Sequence, residues 1–230
     1  MLPMPVYTRA LFAGVLLLAM GGCAEKRRAQ PVAIDGILDL TDWDFEKDGT
    51  VELGGQWRFV WEELVQPMPS DVFRSTYKGT IEVPVTWPSQ PHPGRSGELL
   101  PGQGYATYAL ELRLPPDTSI GELGVYVPVV QSAAAWIISS ADGGVEYGRL
   151  SQGVPRKARD TNSPLFVSDF TRFSGDAAER LLIWVHLSNF RHARGGMWQV
   201  PQFGQARFVK RGWLLHHFVN AGLFGVFCIV

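Results

Sequence analysis

Short runs in which apolar and polar side chains alternate occupy the middle of this chain. In residues 56–61, for example, Trp57, Phe59 and Trp61 fall on one side of an extended chain and Gln56 and Arg58 on the other. Alternation with a period of two is typical of a β-strand with one buried face. The sequence therefore predicts eight strands, at residues 56–61, 81–83, 105–114, 124–130, 134–139, 165–170, 181–187 and 202–209.

The segments between these runs are rich in turn-forming residues. The chain has 25 Gly and 16 Pro, and Gly, Pro, Asp and Ser are concentrated in residues 87–104, 115–121 and 142–144. No long amphipathic helical pattern occurs before residue 213, although residues 61–65 could form one helical turn. Eight strands with long crossing loops predict an all-β domain, a jelly-roll β-sandwich, with an immunoglobulin-like sandwich as the alternative.

Residues 1–23 have the architecture of a signal peptide. A short segment with one basic residue, Arg9, precedes an apolar run that is shorter than the roughly 20 residues of a membrane span. Small residues before Cys23 are similar to a bacterial lipobox, in which Cys23 would be acylated. Met20 stands where lipoboxes usually carry Leu, so lipidation of Cys23 and ordinary cleavage nearby both stay open. Residues 24–34 then form a tether.

Residues 213–230 are predicted to be the first transmembrane helix, cut short where the sequence ends. The run from 214 to 230 is apolar apart from His216, His217 and Asn220, and Trp213 suits the membrane interface. A buried terminal helix or strand of the domain is the alternative. The expected arrangement places the β domain, residues 35–210, in the periplasm or outside the cell, attached to the bacterial inner membrane.

The charges and motifs exclude several classes of function. With 21 basic and 22 acidic residues, the chain has no overall field that would attract nucleic acid. No catalytic, phosphate-binding or zinc-binding motif is present, so we predict no catalysis, no cofactor and no metal in this stretch. An acidic cluster could supply oxygen ligands to calcium, but a solvated strand and turn explains it as well. It comprises Asp39, Asp42, Asp44, Glu46 and Asp48.

The densest polar and aromatic stretch, residues 186–198, follows a predicted strand and supplies the candidate ligand-binding site. Arg191 and Arg194 are suited to clamp a carboxylate or phosphate, and Trp198 to stack on a sugar or aromatic ring, with His192 between them. Loops at the edge of a β-sandwich often carry binding sites. The structural alternative is that Gly195 and Gly196 form a turn and bury Trp198 in the core. We expect His186, within the strand, to be a packed or surface residue.

Several motifs, taken in order, resemble the extracellular domains of bacterial seven-transmembrane receptors with diverse intracellular signalling modules. The resemblance covers roughly residues 35–230. Two of its elements, G-x-W-x-F and V-P-x-x-W, also look like the non-catalytic jelly-roll domain of family 2 glycoside hydrolases. The motifs are Ile37-Leu38-Asp39-Leu40, Trp43-Asp44-Phe45, Leu53 to Phe59, Val83-Pro84-Val85-Thr86-Trp87, Gly102 to Tyr108, and Ser188-Asn189-Phe190 with Gly195-Gly196-Met197-Trp198.

The resemblance implies a galactose-binding-like sensory domain that recognises a carbohydrate or another small molecule. In that family a membrane bundle follows, and then a cytoplasmic histidine kinase, nucleotide cyclase or diguanylate cyclase; no catalytic residue is implied for this stretch. A homodimer is compatible with such a role. Two other functions stay open: a lipoprotein carbohydrate-binding module without signalling, and an accessory domain of a glycoside hydrolase.

Overall fold

The computed structural model of the chain describes residues 28–227. The predicted signal peptide, with Cys23, lies outside the described residues. Twelve strands and two α-helices, together with short 3₁₀ turns, make up the described fold. The strands are β1 Ile37–Asp39, β2 Val51–Glu52, β3 Gly55–Trp61, β4 Thr80–Val83, β5 Gly104–Arg113, β6 Leu123–Val127, β7 Ala133–Ser140, β8 Glu146–Val154, β9 Ser163–Pro164, β10 Asp169–Arg172, β11 Arg180–Asn189 and β12 Gln202–Gln205; the helices are α1 Ser70–Thr76 and α2 Ala206–Phe227.

Two sheets pack face to face, which confirms the predicted all-β sandwich. The larger sheet has the order β4-β3-β5-β11-β7-β8-β9, and β1 pairs in parallel with the end of β5 that β3 leaves free. The smaller sheet has the order β10-β6-β12-β2. At the centre of the larger sheet, β5 and β11 pair over their whole length, from Gly104 opposite Asn189 to Arg113 opposite Arg180.

The core between the sheets is built from the alternating faces that the sequence predicts. The inner face of the larger sheet contributes Trp57 and Phe59 of β3, Leu110 and Leu112 of β5 and Ile183 of β11 to one cluster of buried side chains. A second cluster lies on the outer face of the larger sheet, where Phe73 of α1 packs on Trp184 with ring centroids 4.6 Å apart. The larger sheet is therefore apolar on both faces near its centre, and α1 covers the outer one.

Three of the predicted strands differ from the structure by three or more residues at one end. The strand expected at residues 165–170 begins only at Asp169, and that expected at 124–130 ends at Val127. The strand expected at 202–209 ends at Gln205, because the chain turns into α2 at Ala206 and buries Ala206 and Val209 against the smaller sheet. The helical turn expected at 61–65 is wrong; the helix is α1 instead.

The two ends of the described chain differ from the sequence expectations in detail. Ala33, within the predicted tether, is buried and exchanges backbone hydrogen bonds with Gly54 and Gln56, so it belongs to the sandwich. Helix α2 begins before the predicted membrane segment. Within residues 28–227 no helix combines the length and the hydropathy of a membrane span. The last residues of the predicted span, 228–230, lie outside the described part.

Candidate functional site

The predicted ligand-binding residues follow β11 on a turn that the side chain of Asn189 holds in place. Asn189 is 1% exposed. Its Oδ1 accepts hydrogen bonds from the backbone N–H groups of Arg191 and His192, at 3.3 and 3.0 Å. Its Nδ2 donates to the carbonyl oxygens of His192 and Gly102, at 2.7 and 2.6 Å. One buried amide therefore fixes residues 190–198, named here the rim turn, to the start of β5.

Two glycines allow the rim turn to lie directly on its neighbours. A Cβ at Gly102 would stand 1.8 Å from the carbonyl oxygen of Ala193, and one at Gly195 would stand 2.3 Å from the ring of Trp87. Backbone hydrogen bonds join the same residues. The N–H of Gly195 donates to the carbonyl oxygen of Gly102, and the N–H of Trp87 donates to the carbonyl oxygen of Gly195. Only residues without a side chain permit such close approach. The turn role expected for Gly195 fits these contacts, whereas Trp198 is only half-buried.

His192 and Trp198 meet across the rim turn. Their ring centroids are 4.8 Å apart with the planes inclined by 59°. The Nδ1 atom of His192 accepts a hydrogen bond from the backbone N–H of Arg194 at 3.1 Å. Trp198 is half-buried rather than part of the core, and its enclosed indole N–H has no acceptor among the described residues. The pair gives the turn an aromatic surface.

Arg191 and Arg194 lie exposed beside this aromatic pair. Across residues 28–227, neither guanidinium has a hydrogen-bond acceptor or an ion-pair partner, whereas most arginines of the domain have one. Arg149 and Arg180, for example, each bind a carboxylate through two nitrogens. An unpaired guanidinium keeps its planar set of donors available for a carboxylate or phosphate. The structure therefore brings all four predicted site residues onto one turn.

Sequence motifs that lie far apart in the chain meet beneath the rim turn. The segment around Trp87, the segment from Gly102 to Tyr108 and the segment from Asn189 to Trp198 all contribute. Val85 donates its N–H to the carbonyl of Met197 at 2.6 Å, and the buried indole of Trp87 donates to the hydroxyl of Tyr108 at 2.6 Å. These motif residues thus form the buried frame of the rim turn, whereas Arg191 and Arg194 are exposed.

A cavity of about 480 Å³, which the sequence did not predict, lies where β5 ends and β6 begins. Its walls come from the loop after β1, the loop after β5 and the end of β12. An adjoining cavity of about 280 Å³ shares Glu46, Glu122 and Gln205 with it. Glu46 also accepts hydrogen bonds from Gln205 at 2.5 Å and from Arg207 of α2. The acidic cluster in the sequence was the available signal, since three of its members line this cavity: Asp42, Asp44 and Glu46.

The acidic cluster itself is built as a turn. Asp44 Oδ1 accepts from the N–H groups of Glu46 and Lys47, Asp48 Oδ2 from that of Asp44, and Asp39 Oδ1 from Thr41. Hydrogen bonds from Lys47 and Thr41 hold the pKa values of Asp44 and Asp39, respectively, below their usual range. The part of the chain that the structure describes contains no group of acidic, histidine or cysteine side chains arranged to hold a metal ion. The alternative of a solvated turn fits these contacts.

Comparisons with known proteins give limited information. No protein-family model matches the sequence, and no curated protein matches it. Three similar solved structures are a glycosyl hydrolase family 2 member from Bacteroides cellulosilyticus (12% identity, TM-score 0.44), a calcium-binding mutant of β-glucuronidase 2 from Bacteroides uniformis (15%, 0.45) and a β-glucuronidase from Faecalibacterium prausnitzii (11%, 0.43).

The similarity to these structures is confined to a part of each protein. The matches cover 67%, 67% and 68% of this chain but only 20%, 17% and 31% of the respective structures. With TM-scores below 0.5 and identities of 15% or less, the likeness carries no argument about what this chain binds or does.

Proposed function

We propose that this domain recognises a small molecule or carbohydrate that carries a carboxylate, and that it does so without catalysis. The observation that carries the proposal is the pair of unpaired guanidinium groups, Arg191 and Arg194, beside the aromatic pair of His192 and Trp198. Two arginines can hold a carboxylate through several charge-assisted hydrogen bonds. The half-buried ring of Trp198 supplies a surface for stacking.

Rigidity of the rim turn supports this proposal. A binding group that is ordered before the ligand arrives loses less conformational entropy on binding than a flexible one. The backbone of the rim turn is fixed by Asn189, by Gly102 and by the pairing of residues 85–87 with 195–197. The two arginines therefore leave the backbone at fixed positions, and only their side chains need to be ordered.

The proposal includes a place in a larger protein. We take the domain to be the exported sensory part of a receptor attached to the bacterial inner membrane, with the signalling part beyond residue 230. Support comes from the signal-peptide pattern, from the terminal apolar run and from the ordered motifs that resemble such receptors. A ligand would transmit a signal only if it bound two receptor conformations with different affinity. A lipoprotein or hydrolase-associated carbohydrate-binding module is the alternative, and the reading frame after Val230 distinguishes them.

The test of ligand recognition is a calorimetric titration with D-glucuronate and D-glucose. These two sugars form a matched pair, since they differ only in the carboxylate at C6. We expect binding of the acid, no binding of the neutral sugar, and loss of binding in the double variant R191A/R194A. R149A is the control, because Arg149 is an exposed arginine on β8 that is already paired with Glu146. Equal heats for both sugars, or an unaffected double variant, would overturn the proposal.

A further inference from the structure

The edge of the larger sheet next to β9 carries an exposed apolar turn. Leu165 and Phe166 are each 52% exposed and Val167 is 38% exposed, and Val154 at the end of β8, 44% exposed, lies beside them because β8 pairs with β9. Contiguous apolar side chains on a surface mark an interaction site more often than scattered ones do. Residues 165–167 are named here the apolar turn.

A buried side chain holds the apolar turn in its exposed position. Gln152 is fully buried, and its Nε2 donates to the carbonyl oxygens of Val167 and Pro128, at 2.6 and 2.8 Å. Its Oε1 accepts from the indole of Trp136 at 3.1 Å, and its backbone carbonyl accepts from the N–H of Leu165. Every polar group of this side chain is thus used. The fold fixes the backbone at both ends of the apolar turn, so the exposure of its side chains is not the result of a loose loop.

Two basic side chains follow the exposed Val154 in the chain. Arg156 and Lys157 come after the buried Pro155, and both are exposed. The backbone of Arg156 is tied to β11 through the hydroxyl of Ser188 at 3.0 Å. Neither side chain has an ion-pair partner within the described range 28–227. The surface therefore combines an apolar protrusion with two available positive charges.

We propose that the apolar turn, together with Val154, Arg156 and Lys157, docks onto an anionic lipid bilayer. Apolar side chains on a fixed protrusion can enter the boundary between headgroups and acyl chains, while adjacent Lys and Arg bind anionic headgroups. Charge complementarity favours this partner over a second copy of the chain, because the same positive patch would repel itself across a symmetric contact. The proposal goes beyond ligand recognition by the rim turn and uses different residues.

Residues 28–213 form a suitable protein for the test. All strands, both buried clusters and the buried Val209 of α2 lie within this range, so it contains every described contact that holds the sandwich together. It omits the predicted signal peptide and the apolar run after Trp213. Binding of this protein to vesicles therefore reports on the surface of the domain alone.

The experiment is co-sedimentation with vesicles of phosphatidylglycerol and phosphatidylcholine in equal parts, compared with phosphatidylcholine alone. We expect binding to the anionic vesicles that weakens about tenfold or more in F166S, since burying one phenyl ring favours partition by at least that factor, and similarly in R156E/K157E. V145S is the matched control, because Val145 is 51% exposed at the opposite end of β8 and should leave binding unchanged.

Three outcomes would overturn lipid docking. The first is absence of binding to either kind of vesicle, and the second is binding that F166S and R156E/K157E leave unchanged. The third is a change of oligomeric state in F166S, measured by light scattering, without any effect on vesicle binding. That result would assign the apolar turn to contact with a second copy of the chain. The double variant R191A/R194A separates this proposal from the proposed function. It should retain vesicle binding while losing the acidic sugar, and R156E/K157E should do the reverse.

Discussion

Asn189 Nδ2 donates a 2.6 Å hydrogen bond to the carbonyl oxygen of Gly102, and this contact joins the end of one central strand to the residues that precede the other. The same carbonyl accepts from the N–H of Gly195 at 2.9 Å. The carbonyl of Gly102 thus binds both Asn189, which precedes the rim turn, and Gly195 within it. The position of Arg191 and Arg194 depends on a buried amide that does not itself reach the surface.

Replacing this amide should weaken both stability and ligand binding. In N189D a carboxylate oxygen replaces Nδ2. Both N–H donors are lost, and an acceptor then faces the carbonyl oxygens of Gly102 and His192. We expect the free energy of unfolding to fall by about 1–3 kcal/mol, as for other buried groups left without a partner, and the binding of D-glucuronate to be lost. Urea denaturation and calorimetry measure the two effects. Q199A is the control, since Gln199 is an exposed amide near the same turn; if it behaves like N189D, the role given to Asn189 is wrong.

Removing the buried hydrogen bond between Trp87 and Tyr108 should destabilise the fold, although Y108F deletes only one oxygen atom. Y108F leaves the indole N–H of Trp87, a fully buried residue, without its acceptor at 2.6 Å. We expect a loss of about 1–3 kcal/mol in the free energy of unfolding. In W87F/Y108F the second substitution should cost less than it does alone, which a double-mutant cycle measures. Y105F serves as the control, because the half-buried Tyr105 makes no side-chain hydrogen bond within the described fold.

The buried carboxylate of Glu111 should make stability depend on pH in the acid range. Burial raises its pKa, but hydrogen bonds from Arg180, at 2.9 and 3.1 Å, and from Ser70, at 2.7 Å, outweigh burial and leave the pKa below its usual value. The unfolded chain then binds a proton at a higher pH than the folded chain does. The stabilisation is therefore complete above the ordinary carboxyl pKa of about 4.3 and is lost as the pH falls through the folded value.

Urea midpoints measured from pH 6 to pH 3 test this dependence. We expect E111Q to be less stable than the parent at pH 6, because the neutral amide leaves the guanidinium of Arg180 without its counterion. The difference should shrink as the pH falls. Two curves that run in parallel over the whole range would contradict the role assigned to Glu111.

His186 should produce a separate loss of stability at a higher pH. Burial lowers the pKa of its imidazole, and the positive charge of Arg149 lowers it further. A hydrogen bond to the carbonyl of Val65 at 2.6 Å raises the pKa but does not outweigh burial. The folded state thus resists protonation more than the unfolded state does. Stability should be complete above the ordinary histidine pKa of about 6.5 and fall below it.

Thermal unfolding of the parent and H186Q between pH 8 and pH 5.5 checks this window. The parent should lose stability as the pH falls below neutrality, and the variant should lose less, since glutamine does not titrate and can still donate to Val65. An equal loss in both proteins would assign the pH dependence to other groups.

The sequence predicts a strand well where one face is apolar and the other polar. β3 and β5 alternate in this way, whereas β7 and β11 are apolar on both faces; the predicted bounds of all four strands are close to those observed. β8, with nine residues, was missed because its inward face carries Gln152 instead of an apolar residue, and because the register shifts at Ile138 and Ser139 of its partner. A buried polar side chain with complete hydrogen bonds is a tertiary feature, which the alternation of a single strand does not reveal.

The start of α2 and residues 165–167 show a second reason why a predicted strand can differ from the observed one. Phe203, Ala206 and Val209 are spaced by three, which fits both a strand followed by a helix and an uneven strand. Three consecutive apolar residues, 165–167, were predicted to begin a strand, but they form an exposed turn fixed by Gln152. Apolar character indicates burial only on average, so an exposed apolar segment is visible only in the structure.

The sequence predicted which residues of the candidate site lie on one loop, but not the contacts that hold this loop in place. The sequence placed Arg191, His192, Arg194 and Trp198 on one loop after a strand, and the structure has them there. The contact of His192 with Trp198 and the role of Asn189 depend on Gly102, some ninety residues earlier in the chain. Contacts over such separations follow from strand order, which local patterns do not specify.

The full-length pairing of β5 with β11 also determines how this domain must fold. Its partners are separated in sequence by roughly 65 to 85 residues, so the central ladder forms only after a long loop has closed at a large entropic cost. Domains dominated by such distant contacts fold in milliseconds to seconds rather than microseconds. During that interval the edges of β5 and β11 stay unpaired and can associate with other chains. The distant pairing of β5 with β11 thus slows folding, and rapid dilution from denaturant should give the highest yield of folded protein at low protein concentration.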